Sequence, residues 1–169
     1  MSMRLIWSHG RDATPWGGKS LEMAERARAL GLELEAVDYT STLDPDRRVE
    51  MLLECLAGET RPVLLAGSSM GGYVSAAAAL RRPVAGIFLL APALYLEGYA
   101  VQDFAGLAGP VTVIHGWGDD VVPVEHSIRF ARGLAARLLL LDAGHRLQSK
   151  STEIAGCYAR FLEELNAAG

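Results

Sequence analysis

A chain of 169 residues, 50% hydrophobic and 21% charged, is most simply one globular domain with a substantial core. A formal charge of −4 with scattered Lys and Arg leaves no basic footprint for nucleic acid. The apolar run in MSMRLIWSHG is too short for a secretory signal, and VAGIFLLAPALYL, which contains Pro92, falls short of the roughly 20 residues of a membrane helix, so a cytoplasmic protein free of the membrane is expected.

In chain order, MRLIWS (3–8) reads as a first strand, followed by a helix near 18–30 in which Leu21, Ala24, Ala27, Ala29 and Leu30 recur at near-helical spacing. Gly31 stands where a C-cap is needed, and LELEAVD (32–38) reads as a second strand. DPD at 44–46 places Asp44 at an N-cap with Pro45 just inside, opening a helix near 45–57 that carries Val49, Leu52, Leu53 and Leu56 and closes at Gly58. PVLLAG (62–67) is a third strand, with an Ala-rich helix at 70–82 directly behind it. VAGIFLL (84–90) and PVTVIH (110–115) are further strands; a helix at 123–136, the strand RLLLLD (137–142) and a helix at 150–166 complete the chain. Cys55 and Cys157 fall inside helix-like patterns and are expected as small buried hydrophobes without a disulfide, as in a reducing compartment. Strands that are apolar throughout require cover on both faces. Six of them separated by helices imply an α/β fold with a doubly wound, mainly parallel sheet, whose ligands bind at the carboxyl ends of the strands.

The third strand ends in Gly67-Ser68-Ser69-Met70-Gly71, a G-x-S-x-G match centred on Ser69. With 18 glycines in the chain the match alone says little, but the strand before it and the helix after it are what a nucleophile elbow demands. Small residues two before and two after the serine let strand and helix approach closely; Ser68 lacks the second of these glycines. The plainer alternative is a glycine-rich turn whose serines cap the helix. A serine hydroxyl needs a base, and four histidines are available. His9 and His115 end strands, His126 falls in a helix and reads as a surface residue, and His145 lies just past the last strand in LLLLDAGHRLQ, on the rim expected for Ser69. A carboxylate should orient the imidazole. VIHGWGDDVVPVEHS offers Asp119 and Asp120 directly after the fifth strand, either of which could instead cap the next helix, and Asp103 lies on an unplaced segment.

Taken together, SHG (8–10), GSSMGG (67–72), HGWGDDVVP (115–123) and DAGH (142–145), in that order, resemble the motifs of the α/β-hydrolase superfamily along nearly the whole chain. More narrowly the chain resembles small, nearly lidless bacterial serine esterases of the YqiA type, with HGRDATPWGGKS a loose match to their first loop. The resemblance implies a minimal fold lacking the family's first two strands and any cap domain, since 91–109 is too short for one. It assigns the acid to Asp119, with Asp120 as spacer, and the base to His145. It implies an oxyanion hole made of the backbone amides of Met70 and Arg11, structural roles for His9 and His115, and an acyl pocket walled by Trp16, Met70, Leu94, Tyr95, Trp117 and Leu147. The activity implied is hydrolysis of a small carboxylic ester or thioester through an acyl-enzyme, with no metal or organic cofactor and a small-molecule acyl substrate as the partner.

Two other readings stand beside this one. ATPWGGKS (13–20) fits a loosened Walker pattern between a strand and a helix, which would make a phosphate-binding loop of a nucleotide-binding protein. Pro15 removes one amide from such a loop, Trp16 crowds it, and Asp38 alone could serve as the second, metal-binding aspartate. A binding module that kept the fold without the chemistry is the third reading.

Overall fold

The computed structural model describes residues 3–168. Among these residues the chain alternates strand and helix, as β1 (Arg4–Ser8), α1 (Gly18–Ala29), β2 (Leu34–Val37), α2 (Pro45–Cys55), β3 (Val63–Ser68), α3 (Met70–Arg81), β4 (Gly86–Leu90), β5 (Val111–Gly116), α4 (Val124–Leu134), β6 (Arg137–Leu141) and α5 (Ser151–Ala168). The six strands form one sheet in the order β2-β1-β3-β4-β5-β6, and every neighbouring pair is parallel. All six expected strands and five expected helices are present, with ends shifted by no more than a few residues. A one-turn 3-10 helix at Gln148–Lys150, which hydrophobic spacing does not reveal, precedes α5.

Side chains of successive strand residues point to opposite faces, so each central strand feeds two cores. Leu5, Trp7, Leu64, Ala66, Phe88 and Leu90 pack beneath α1 and α5. Ile6, Val63, Leu65, Ile87, Leu89 and Val113 pack on the other face against α2, α3 and α4. The apolar runs of β3 and β4 follow from this double cover; β5 carries Thr112 and His115, and all but Ser68 of the residues in the three strands are buried. β6 departs from the expectation: it is apolar in sequence but half-exposed, because it pairs on one side only and forms the sheet edge.

Local caps hold the helices at the expected places. The N–H of Gly31, at φ +74°, donates to Arg28 O and that of Leu32 to Ala27 O, the paired bonds of a Schellman motif ending α1. The Asp44 carboxylate accepts from the amides of Asp46 and Arg47 with Pro45 at the first helical position. The cysteines differ from expectation. Cys55 is exposed and Cys157 half-buried, and both are free thiols. Cys55 shares the stripe of Arg48 and Leu52 but is the last residue of α2, where the helix end leaves its thiol exposed beside the Arg4 guanidinium at 3.5 Å. No helix among the described residues is long and apolar enough to cross a membrane.

The strand order reverses beside β1: the chain runs from β1 outward to β2, then returns to β3 on β1's other side. Loops leaving the carboxyl ends of β1 and β3 therefore diverge to opposite faces and open a crevice between them, the ligand position expected for an open parallel sheet. Asp44→Ala should lower the unfolding free energy by about 1 kcal/mol by removing the α2 cap; an unchanged urea midpoint would contradict that role.

Candidate active site

Ser69 occupies the single residue between β3 and α3, at φ 54° and ψ −120°. A non-glycine residue there costs about 1–3 kcal/mol and persists only where its surroundings over-determine it. Here they do. The Ser69 N–H donates to Leu90 O (2.9 Å), and its carbonyl accepts from Gly72 N–H (2.9 Å), Ala93 N–H (2.9 Å) and Tyr73 N–H (3.2 Å). The flanking glycines are dictated by contact distance. A Cβ on Gly67 would sit 2.2 Å from Gly71 O, and one on Gly71 would sit 1.9 Å from Ser8 O, both backbone atoms that cannot swing aside. Helix α3 thus starts in direct backbone contact with β1 and β3, and the Ser69 side chain is lifted above the sheet edge.

Two other loops meet it there. The His145 imidazole, in the loop after β6, accepts at Nε2 from the Ser69 hydroxyl (3.0 Å) and donates from Nδ1–H to Asp119 Oδ2 (2.7 Å). Asp119 follows β5. The two loops are stitched by Trp117 N–H to Leu141 O (2.9 Å) and Gly118 N–H to Ala143 O (3.0 Å). The Asp119 side chain is fully buried and that of His145 is 17% exposed. Burial alone pushes the Asp119 carboxyl up. The bonds from His145, Val122 N–H and Val121 N–H outweigh burial and hold it below its ordinary value, so it stays ionised. An ionised carboxylate fixes the His145 tautomer, leaving Nε2 free to take the serine proton.

The same carboxylate oxygen accepts a second imidazole N–H. His115 is fully buried, donates from Nε2–H to Asp119 Oδ2 (2.8 Å) and Val122 O (3.1 Å), and accepts at Nδ1 from the Ser127 hydroxyl (2.7 Å). His9 is buried in the loop after β1. It donates from Nδ1–H to Gly10 O (2.8 Å) and accepts at Nε2 from Tyr39 N–H (2.9 Å). Neither ring has a nitrogen free for proton transfer. His126 is half-buried rather than on the surface, because its ring packs edge-on against Tyr95 at 5.9 Å. Asp119 does not cap α4; its Oδ1 accepts from the amides of Val121 and Val122 instead. Asp103 makes a local turn with Ala105 N–H away from the cavity.

The first residue of a helix has no intrahelical partner for its N–H, and Met70 holds that position beside Ser69. The loop after β1 supplies the facing wall: a Cβ on Gly10 would lie 3.7 Å from the Ser69 Cβ. A residue that sequence reading passed over organises this loop. Arg48 of α2 is fully buried without a carboxylate partner, and its guanidinium donates to the carbonyls of Thr42 (2.9 Å), Gly10 (3.1 Å) and Arg11 (3.0 Å). In a trans peptide the C=O and the next N–H point in opposite directions. With the Gly10 carbonyl drawn toward Arg48, the Arg11 N–H lies on the opposite edge of that peptide plane. An arginine on the apolar stripe Val49, Leu52, Leu56 was the available signal, since buried arginine is rare without a built partner.

Ser69, His145, Met70 and Arg11 share one open cavity of about 950 Å³, with Ala93, Leu96 and Tyr99 on its wall. The other expected pocket residues stand elsewhere. Trp16 turns outward, 41% exposed, into a separate surface cleft with Leu21, Ala24 and Arg28. Leu94 is fully buried in the core between the sheet and α3. Tyr95 faces away, against Phe104, His126 and the Arg129 guanidinium. Trp117 is 60% exposed, and Leu147 is buried in the core under α5. In the irregular segment 91–99, residues 93, 96 and 99 face the cavity, a three-residue recurrence that neither strand nor helix spacing anticipates. The Walker-like run forms no separate phosphate cradle. Ala13, Thr14, Gly17, Gly18, Lys19 and Ser20 line the same cavity as Ser69. The Ser20 hydroxyl is tied to Gly17 N–H (2.9 Å) and Gly17 O (3.1 Å), and Asp38 closes an exposed turn with Thr40. Among the described residues no cluster of His, Cys, Asp or Glu has metal-holding geometry.

Burial, reinforced at His9 by the Arg48 charge, holds the His9 and His115 imidazoles below their ordinary value against the pull of their hydrogen bonds. The unfolded chain therefore binds more protons as pH falls below about 6.5. Stability should be at its plateau above that value and decline through the acid range, with a urea midpoint lower at pH 5 than at pH 7; equal midpoints would exclude neutral buried imidazoles. Arg48→Met, which removes the donor to the Thr42 and Arg11 carbonyls and leaves Gly10 O to His9, should cost about 3 kcal/mol in the same assay. A loss within a few tenths would show the clamp to be dispensable.

No protein-family model matches the sequence, and no curated protein matches it either. Solved structures do. A structure from Xanthomonas campestris pv. campestris, described as a hydrolase of the alpha/beta superfamily, is 33% identical and superposes with a TM-score of 0.88, covering 97% of this chain and 99% of its own. A CIB-like hydrolase from Thermoplasma acidophilum (22% identity, TM-score 0.77, 95% and 86% covered) and Est1E from Butyrivibrio proteoclasticus (17%, 0.80, 98% and 88%) share the fold. A near-complete match at 33% identity to an alpha/beta-superfamily hydrolase, on the same six-stranded scaffold, means that this chain belongs to the α/β-hydrolase superfamily.

Proposed function

We infer that the protein is a serine hydrolase acting on small carboxylic esters or thioesters. The observation that carries this reading is the continuous relay from the Ser69 hydroxyl through His145 to Asp119, at 3.0 and 2.7 Å, ending on a serine held in a strained backbone conformation. In this reading His145 Nε2 takes the hydroxyl proton as Ser69 Oγ attacks the substrate carbonyl. The imidazolium then gives that proton to the departing alkoxide or thiolate, leaving an acyl-serine. Water, deprotonated by the same nitrogen, attacks the acyl carbonyl, and the proton returns to Ser69 as the carboxylic acid leaves. The negative charge on the tetrahedral oxygen falls between the Met70 and Arg11 amides, Met70 at the positive end of α3 and Arg11 in the peptide whose carbonyl is held by Arg48.

The small, nearly lidless esterase type fits the remaining features. Residues 91–110 contain no helix or strand, and the cavity is open to solvent, which suits short, water-soluble acyl groups. Asp119, buried and saturated with donors, serves as orienter and keeps its charge through the cycle.

Ser69→Ala should reduce kcat on 4-nitrophenyl esters by at least about a thousandfold with the unfolding midpoint preserved or raised, since alanine removes the nucleophile and keeps the backbone. A fluorophosphonate probe should label the wild type at Ser69 and leave the variant unlabelled. Absence of labelling in the wild type would make the protein a non-catalytic binding module, and retained turnover in the variant would move the nucleophile elsewhere.

A further inference from the structure

The walls of the Ser69 cavity carry three full cations, Arg11, Lys19 and Arg146, against one carboxylate, Asp12, in a protein whose overall charge is −4. Five arginines elsewhere, Arg4, Arg47, Arg61, Arg81 and Arg137, each meet a glutamate. Lys19 and Arg146 meet no carboxylate among the described residues. Lys19 is half-buried, and its ammonium donates to the backbone carbonyl of Arg146, the residue after His145. Burial first, and then the Arg146 charge, hold the Lys19 ammonium below its ordinary value; no carboxylate opposes them. The charge of Asp12 is felt at Arg48 instead.

Keeping the half-buried Lys19 ammonium partly stripped of water beside the charge of the exposed Arg146 is energetically costly. A strut for the Arg146 carbonyl would need only a neutral donor. An anion entering the cavity offsets both the burial and the repulsion, and it does so on the wall that faces Ser69.

We propose that Lys19 and Arg146 form an anion subsite, so that the preferred ester or thioester carries a carboxylate remote from its reacting carbonyl. This rests on the hydrolase reading and adds the substrate class to it. The subsite binds the non-reacting end of the substrate, and the carbonyl carbon is thereby registered over Ser69 Oγ. The cationic walls also raise the local concentration of an anionic ester in an otherwise acidic protein.

The test compares kcat/KM for matched pairs of esters in the full-length protein. On the acyl side, 4-nitrophenyl hemiglutarate is set against 4-nitrophenyl valerate, which has the same chain length without the charge. On the alcohol side, 4-acetoxybenzoate is set against 4-acetoxybenzamide. The wild type should favour the anionic member of one pair by about tenfold or more, the worth of one charge-assisted contact, and that preference should shrink in high salt. Lys19→Gln and Arg146→Gln should each reduce the ratio and together bring it near one, while Lys19→Arg should keep it. The ratio cancels any general damage to the His145 loop, and Arg146, being exposed, can be changed without loss of the fold. Equal rates within both pairs in the wild type would overturn the subsite while leaving the hydrolase standing. A preference that survives in the double variant would overturn it too, by placing the anion elsewhere. No turnover of any of these esters, together with no fluorophosphonate labelling of Ser69, would bring down the hydrolase reading itself.

Discussion

The Asp119 carboxylate is the point at which the site is tied together. It accepts from His145 and His115 at one oxygen and from the Val121 and Val122 amides at the other. The four donors come from three segments: the strand end of β5, the turn that leads to α4, and the loop beyond β6. A buried carboxylate is tolerable only while such donors surround it. The requirement therefore acts in reverse, holding the three segments in register and keeping the His145 ring upright. Without that anchor the imidazole would be an ordinary loop side chain.

A comparable constraint operates on the opposite wall in backbone terms. Ser69 can hold its unusual dihedrals because α3 lies against β1 and β3 with no side chain between, as Gly67 and Gly71 permit. The β1 loop across the crevice has no such glycine contact to fix it; it is oriented from behind by Arg48, whose guanidinium donates to three carbonyls and lies over the Tyr39 ring. Holding the Gly10 carbonyl from behind leaves the Arg11 N–H on the opposite edge of that peptide plane. Beyond that loop, Arg11, Lys19 and Arg146 place further positive charge on the walls of the cavity that holds Ser69.

Much of this was legible in the primary structure, for identifiable reasons. Strands β3 and β4 are covered on both faces and so appear as apolar runs, and α1 and α2 announce their ends through Gly31 and Asp44. Ser69, Asp119 and His145 could be assigned to one rim because each lies in the loop leaving the carboxyl end of a strand, and a parallel sheet delivers all such loops to one edge. The pocket walls were not legible. Trp16, Leu94, Tyr95, Trp117 and Leu147 are bulky and lie in loops that follow strands, yet the irregular backbone that bears them turns each away, into core or solvent. Arg48 escaped notice because its position on α2 is one that an apolar residue would normally occupy.

Sequence by itself determined the layered architecture and the identity of the residues at the strand ends, because apolar periodicity and glycine placement are local properties that survive in one dimension. Tertiary structure decided which of those residues touch, which face of each loop meets the cavity, and that unneutralised cations share it with Ser69. Those outcomes depend on contacts between segments far apart in the chain, whose geometry is set by packing and hydrogen-bond satisfaction rather than by any neighbour in sequence.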